Sequence, residues 1–490
     1  MDKKEFFASR WGIIFAGLGM AVGTGNIWRF PRIVSQYGSG AFIIAWLLFL
    51  FLWSIPLLVI EISIGKSTRL GVIGSFGKLL GNNFSWMGTF VAFVTTAIMF
   101  YYSVVTGWCL KYFIATSFQG LIKKDSLKSW QVFTSSWEPI VFHFAAIIIG
   151  VLIIYAGVVK GIERANKVLI PSLFILLIIA CVRSITLPGA FHGLNFIFSP
   201  NLSKLADLEL WLNALTQSAW STGAGWGLIL TYAVYSHKKE NPVLTATTLG
   251  FGNNMASLLA AVAVIPTVFS FFSAQNFSHQ KVLDVMKTDN QGLTFIWIPQ
   301  LFSKIPAGSF FLALFFLALS FAAFSSLISM LELDTRLLMD TGMSRKKSIG
   351  IVGVCGFLLG LPSALSMGFF NNQDWVWSLG LLVSGLFFTI AVIKFGAKGF
   401  RQKIISESQT NINLGRWFDI LVTFFLPLQF LAMLGWWLWD SYSDDPHNWF
   451  KIFTPYSVGT VLFQLAIAIG VFISLNKIIT KKIITNENDY

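Results

Sequence analysis

Charge is scarce in this chain. Only 12% of its 490 residues are Asp, Glu, Lys or Arg, while 55% are hydrophobic and the mean hydropathy is +0.70. That balance excludes an ordinary soluble protein. Cysteine is scarcer still: Cys109, Cys181 and Cys355 lie inside apolar stretches without paired spacing, so neither a disulfide framework nor a thiolate metal site is expected. The five histidines are scattered or fall at loop positions. No nucleophile–base pair, metal-ligand spacing or phosphate loop occurs in the apolar stretches, which argues against an enzyme. Gly-rich and Pro-rich linkers are also missing, so a single membrane domain is expected. No small-residue cleavage site follows the first apolar stretch, so a cleavable signal peptide is not expected either.

Long apolar runs fill the chain instead. A helix needs about 20 apolar residues to cross the hydrocarbon core, and about twelve runs meet that rule. They are residues 11–37, 41–64, 86–116, 140–159, 168–185, 210–236, 243–272, 308–338, 348–365, 375–393, 418–439 and 458–479. The longest polar insert, 273–304, reads as an external loop holding short helices. The expectation is an all-α, polytopic membrane protein.

The net charge of +13 follows the topology rather than a nucleic-acid face. With the N-terminus inside, alternate loops carry Lys66/Arg69/Lys78, Lys160/Arg164/Lys167, Lys238/Lys239, Arg345/Lys346/Lys347 and Lys394/Lys398/Arg401/Lys403, joined by Lys477/Lys481/Lys482. The opposite loops hold roughly half as many cations, Lys123, Lys124 and Lys128 among them, which is the positive-inside bias. Both termini are therefore expected to be cytoplasmic, in a plasma or inner cell membrane.

Two of the runs are interrupted. The first breaks at Gly23-Thr24-Gly25-Asn26 and the sixth at Ser221-Thr222-Gly223-Ala224-Gly225. Glycine in a membrane helix commonly just allows close packing, but paired breaks in the first and sixth runs imply two five-helix halves of opposite orientation. Discontinuous helices in corresponding positions of an inverted repeat point to a transport site near the bilayer midplane. Residues 1–185 would form one half, 186–396 the other, and 397–490 two additional spans. A bare backbone is tolerated in the membrane only where it is buried or lines a cavity. Free carbonyls there suit a hard cation, and a half-helix N-terminus suits a carboxylate.

"VGTGNIWRFP" at 22–31, "YGSGAF" at 37–42, "FYY" at 100–102, "KGIERANKVLIP" at 160–171 and "SFAAFSS" at 320–326 occur in this order. The chain resembles the neurotransmitter:sodium symporters, especially their bacterial amino-acid transporters of the leucine-transporter fold; the last two runs match only in position and hydrophobicity. The resemblance implies sodium-coupled symport of an amino acid. It implies one sodium site from the carbonyls of Ala21 and Ser221, with Asn26, Asn253 and the substrate carboxylate. A second would use the carbonyls of Gly19, Val22 and Ala322 and the hydroxyls of Ser325 and Ser326. The carboxylate would meet the N–H groups of Thr24 and Gly25 and the hydroxyl of Tyr102. Gly23 stands where monoamine carriers have aspartate, which favours an amino acid. Met20, Ile98, Trp220, Gly223, Trp226, Ser326, Ser329 and Met330 would line an uncharged pocket, implying a neutral substrate, with Trp226 and Gly223 favouring a small side chain.

The same resemblance implies gates and a further ion. Arg29 and Asp374 would close the outer side under Trp220 and Tyr102. Lys4 and Asp340 would close the inner side, with Phe7 in place of a tryptophan and Tyr235 supporting Asp340. Gly161 and Pro171 match a motif that lets the fifth helix unwind. Glu61 matches an acid that buttresses the broken helices; Glu332 reads either as functional or as a solvated structural acid. Ser257, Gln217 and Ser221 match chloride contacts, with Trp46 where the family has tyrosine. A channel also uses carbonyl-lined paths, but inverted broken helices with a carboxylate-binding turn favour alternating access.

Overall fold

The computed structural model describes residues 5–120, 125–273, 291–304, 306–406 and 414–487, and among them every regular element is a helix. In lipid only internal hydrogen bonds can satisfy a backbone, and helices supply them. Among the described residues ten helices are long and apolar enough to cross a bilayer: Gly40–Thr68, Asn82–Phe118, Glu138–Tyr155, Val158–Ile185, Pro242–Phe272, Gly308–Met339, Arg345–Leu365, Met367–Phe395, Arg416–Asp444 and Val458–Ile483. The first run is a bent pair, Arg10–Ala21 and Thr24–Gln36, at 52°. The sixth is two short helices, Leu208–Ser221 and Leu228–Val234, joined by residues 222–227. Counting these two in chain order gives the numbering of spans used below.

Burial sorts the spans into two layers. The third buries 78% of its most apolar window, and the seventh, eighth and tenth 72% each, whereas the fourth, eleventh and twelfth bury 33% and the fifth 28%. The well-buried spans wall in the two broken ones. The others turn side chains such as Ile175, Leu358 and Phe424 outward, as lipid contact requires.

The fifth span starts earlier than expected. It opens at Val158 with a π-helical turn, Val158–Glu163, and then runs unbroken through Pro171. Within its polar start Glu163 is buried, accepting from the backbone N–H of Ala8 at 2.7 Å and pairing with Lys167 at 2.6 Å, while Lys160 and Arg164 stay exposed. Gly161 is fixed by contact: a Cβ there would sit 2.0 Å from the Ile153 carbonyl oxygen. Of the expected loop at 273–304, residues 274–290 lie outside the described residues and Gly292–Phe302 is a short apolar helix.

Candidate functional site

The first break is a turn of extended backbone. Val22 and Gly23 leave the helix with ψ of 90° and −171°, and Thr24 starts the second half. Asn26 closes the turn by accepting from the Gly23 N–H at 3.0 Å. The free N-terminus of the second half faces the third span, where the Thr24 N–H donates to the Tyr102 hydroxyl at 3.2 Å. A Cβ on Gly23 would meet Ser326 Oγ at 3.0 Å and the Tyr102 hydroxyl at 3.1 Å, so a side chain there is crowded. A Cβ on Gly25 would meet nothing within 4 Å.

The sixth break is longer than its glycine pair suggested. Gly223, Gly225 and Gly227 have φ of +67°, +89° and +77°, a conformation that L side chains rarely adopt. Their N–H groups therefore need partners outside the helix. Glu61 supplies them from the second span: its fully buried carboxylate accepts from Gly225 at 2.5 Å and from Gly227 at 2.8 Å. Thr95 donates to the Trp226 carbonyl at 2.6 Å. Glu61 thus holds the unwound segment from behind, as expected.

Oxygens and amides converge between the breaks. Asn26 Nδ2 donates to Asn253 Oδ1 at 2.7 Å and to Ser257 Oγ at 2.8 Å. The Asn253 amide atom lies 2.8 Å from the Ser221 carbonyl and 3.2 Å from the Ala21 carbonyl. With oxygen at that end three oxygens crowd together, an arrangement that a hard cation satisfies; with nitrogen there the same carbonyls are simply bonded. With its oxygen at that end, Asn253 joins the Ser221 and Ala21 carbonyls in an oxygen set of the kind that sodium accepts. On the other side of the first break, Ser326 Oγ donates to the Gly19 carbonyl at 3.2 Å and Ser325 Oγ to the Ala322 carbonyl at 3.0 Å.

A cavity of about 450 Å³ leads from this floor to the face opposite the N-terminus. Met20, Gly23, Tyr102, Gly223, Trp226 and Met330 line its depth, and its charged residues, Arg29, Arg32, Asp374 and Asp440, lie on the second half of the first span and on the tenth and eleventh spans. Ile98 and Ser329, both expected in the lining, are buried behind the wall instead, Ser329 donating to the Ser326 carbonyl at 2.6 Å.

A model described as the sodium:neurotransmitter symporter family matches residues 4–139 and 131–484. The chain belongs to that family. It is 31% identical over 450 residues to an uncharacterized sodium-dependent transporter of Methanocaldococcus jannaschii, spanning 88% of this chain and 90% of the relative. An uncharacterized sodium-dependent transporter of Bacillus subtilis is 31% identical over 454 residues, 89% of this chain and 96% of its own. The crystal structure of MhsT in complex with L-phenylalanine is similar with a TM-score of 0.76 and 30% identity, covering 88% of this chain and 99% of that one. The protein is a sodium-dependent transporter and not an enzyme.

The residues expected to form the two gates are placed differently from one another. Arg29 and Asp374 line the same cavity but form no ion pair among the described residues; Arg29 lies over the Trp220 ring at 5.6 Å. At the N-terminal face the contacts are closed. Phe7 is buried against Tyr232 and Tyr235, and its carbonyl accepts from His237 at 2.7 Å. Asp340 pairs with Arg336 at 2.7 Å and accepts from the Gly71 N–H at 2.6 Å. Lys4 lies outside the described residues.

Tyr235 corrects the expectation made for it. Its hydroxyl donates to Glu332 at 2.7 Å, not to Asp340, which is already held by Arg336 and Gly71. Nor is Glu332 solvated: it is fully buried and grips Arg345 with both oxygens, at 2.8 and 2.6 Å. From the sequence Arg345 is only a loop cation. The available signal was an acid inside a span with an arginine a short loop further on.

Proposed function

We propose that the protein imports a neutral amino acid with sodium by alternating access. The observation that carries this reading is the uncharged cavity floor set between two opposed half-helix breaks. The substrate carboxylate would take the N–H groups of Thr24 and Gly25, with Tyr102 as a further donor; the open space at Gly25 gives it room. Its other oxygen would complete the ion site of Ala21, Ser221, Asn26 and Asn253, and Gly19, Val22, Ala322, Ser325 and Ser326 would hold a second sodium. Met20 against Gly223, with Trp226 below, leaves space suited to a small side chain.

We read residues 1–185 and 186–396 as the opposed halves and 397–490 as additional spans, with both termini cytoplasmic in the cell membrane. Arg29 and Asp374 would then close over bound substrate at the outer face. In proteoliposomes, uptake of a small neutral amino acid should require an inward sodium gradient. Equal uptake with potassium in place of sodium overturns the reading.

Chloride is a finer part of the same reading. Ser257 bonds directly to the proposed sodium ligand Asn26, so an anion beside it would offset the cation's charge in a low-dielectric interior. The Trp46 indole N–H is buried without a hydrogen-bond partner and is free to donate. Ser257→Glu should make transport independent of chloride, because a fixed carboxylate replaces the anion. Wild-type uptake unchanged in gluconate, with chloride removed, would rule this out.

A further inference from the structure

Asn166 sits on the fifth span, where that span packs against the first half of the first. Its side chain is fully buried. The amide nitrogen donates to the Ile162 carbonyl one turn back, at 3.0 Å, while the amide oxygen has no hydrogen-bond partner. That bond fixes the amide: turned over, the oxygen would face a carbonyl. The oxygen lies against Gly19, in the last turn of the helix Arg10–Ala21 before the break. A Cβ built on Gly19 would lie 2.0 Å from Asn166 Oδ1 and 3.1 Å from Ser325 Cβ, so only glycine clears the amide at this point. The Gly19 carbonyl in turn receives Ser326 Oγ at 3.2 Å.

A buried amide oxygen without a donor is costly, and it needs an explanation. Here it lies at Gly19, which also meets Ser325 and receives Ser326 Oγ, and the reading above places these three residues around the second sodium. An amide oxygen is a ligand that a hard cation accepts. We propose that Asn166 Oδ1 coordinates the second sodium and so ties the fifth span to the ion; this rests on the sodium-site reading above. The acceptor of its amide, Ile162, belongs to the π-helical turn Val158–Glu163. One side chain therefore joins the ion to the irregular start of the fifth span, and losing the ion frees that start to move.

Two substitutions separate the ligand from the amide donor. Asn166→Ala removes both, whereas Asn166→Asp keeps an oxygen toward Gly19 and, when ionised, cannot donate to Ile162. Sodium-dependent thermal stabilisation of the purified full-length protein, with choline as replacement ion, reads binding directly; sodium-dependent uptake in proteoliposomes reads transport. Asn166→Ala should raise the sodium midpoint about ten-fold in both, the size of effect expected from removing one buried polar partner. Asn166→Asp should keep the midpoint within about two-fold of wild type or lower it, since a carboxylate is the better cation ligand. An unchanged midpoint in the alanine variant overturns the proposal, and so does equal impairment in both variants, which would assign the role to the Ile162 bond. If the alanine variant does not fold, a ten-fold rise in the aspartate variant alone overturns it. A wild type without any sodium response overturns the sodium site and this ligand together, and the control shows it before any variant is compared.

Discussion

Glu61→Ala should abolish uptake and lower the thermal stability of the detergent-solubilised protein by on the order of 3–5 kcal/mol. The carboxylate is fully buried and accepts from Gly225 and Gly227 at 2.5 and 2.8 Å. Hydrogen bonds to charged groups are worth about 1.5–3 kcal/mol each. Both N–H groups belong to residues with positive φ that no helix can re-engage without refolding the segment. Alanine would orphan them away from water, and the Trp226 wall of the cavity would lose its support. Glu61→Gln retains one acceptor oxygen but sets an NH2 against the other N–H, so it should fall between alanine and wild type. Substrate binding near wild type in a folded Glu61→Ala protein would show that the sixth break stands without this acid.

The ends of most spans were legible because bilayer thickness, not local propensity, sets their length. The eighth run was expected at 308–338 and is Gly308–Met339. The first break was legible because Gly23 to Asn26 cannot extend an apolar helix in lipid without another use. What escaped depended on partners far along the chain. The sixth break was read to Gly225, but it extends through Gly227, whose partner Glu61 lies on another span. Residues 160–167 look like a charged loop until Glu163 is seen paired with Lys167 beneath the N-terminal segment. The resemblance pairs Tyr235 with Asp340, whereas its hydroxyl goes to Glu332. The choice was made by Arg336 and Gly71, which had already satisfied Asp340. Likewise Asn166 reads as one more polar residue in a family motif until its unpartnered oxygen is seen against Gly19.

Arg345→Ala should destabilise the protein by about 3–5 kcal/mol, the usual cost of leaving one member of a buried ion pair uncompensated. Glu332 has 0% side-chain exposure and Arg345 12%, so solvent does little to screen the pair. The guanidinium binds both carboxylate oxygens and also donates to the Ile154 carbonyl at 3.0 Å, joining the eighth, ninth and fourth spans at the N-terminal face. Arg345→Lys should recover only part of the loss, because an ammonium group cannot make the two-pronged contact. Tyr235→Phe should cost less, since Arg345 still neutralises Glu332. The decisive comparison is the double variant Glu332→Gln with Arg345→Met. It removes both charges together, so its loss of stability should be smaller than that of Arg345→Ala and well short of the summed single losses. Thermal melts in detergent measure the cycle, and a coupling of 0.5–3 kcal/mol is the range for residues in direct contact. Because Tyr235 also carries the Phe7 contact, loosening this pair should release the N-terminal segment and open the inner face. Sodium-independent leak of preloaded substrate from Arg345→Ala proteoliposomes would register that opening. Purely additive melts with no leak would reduce the pair to two separate anchors.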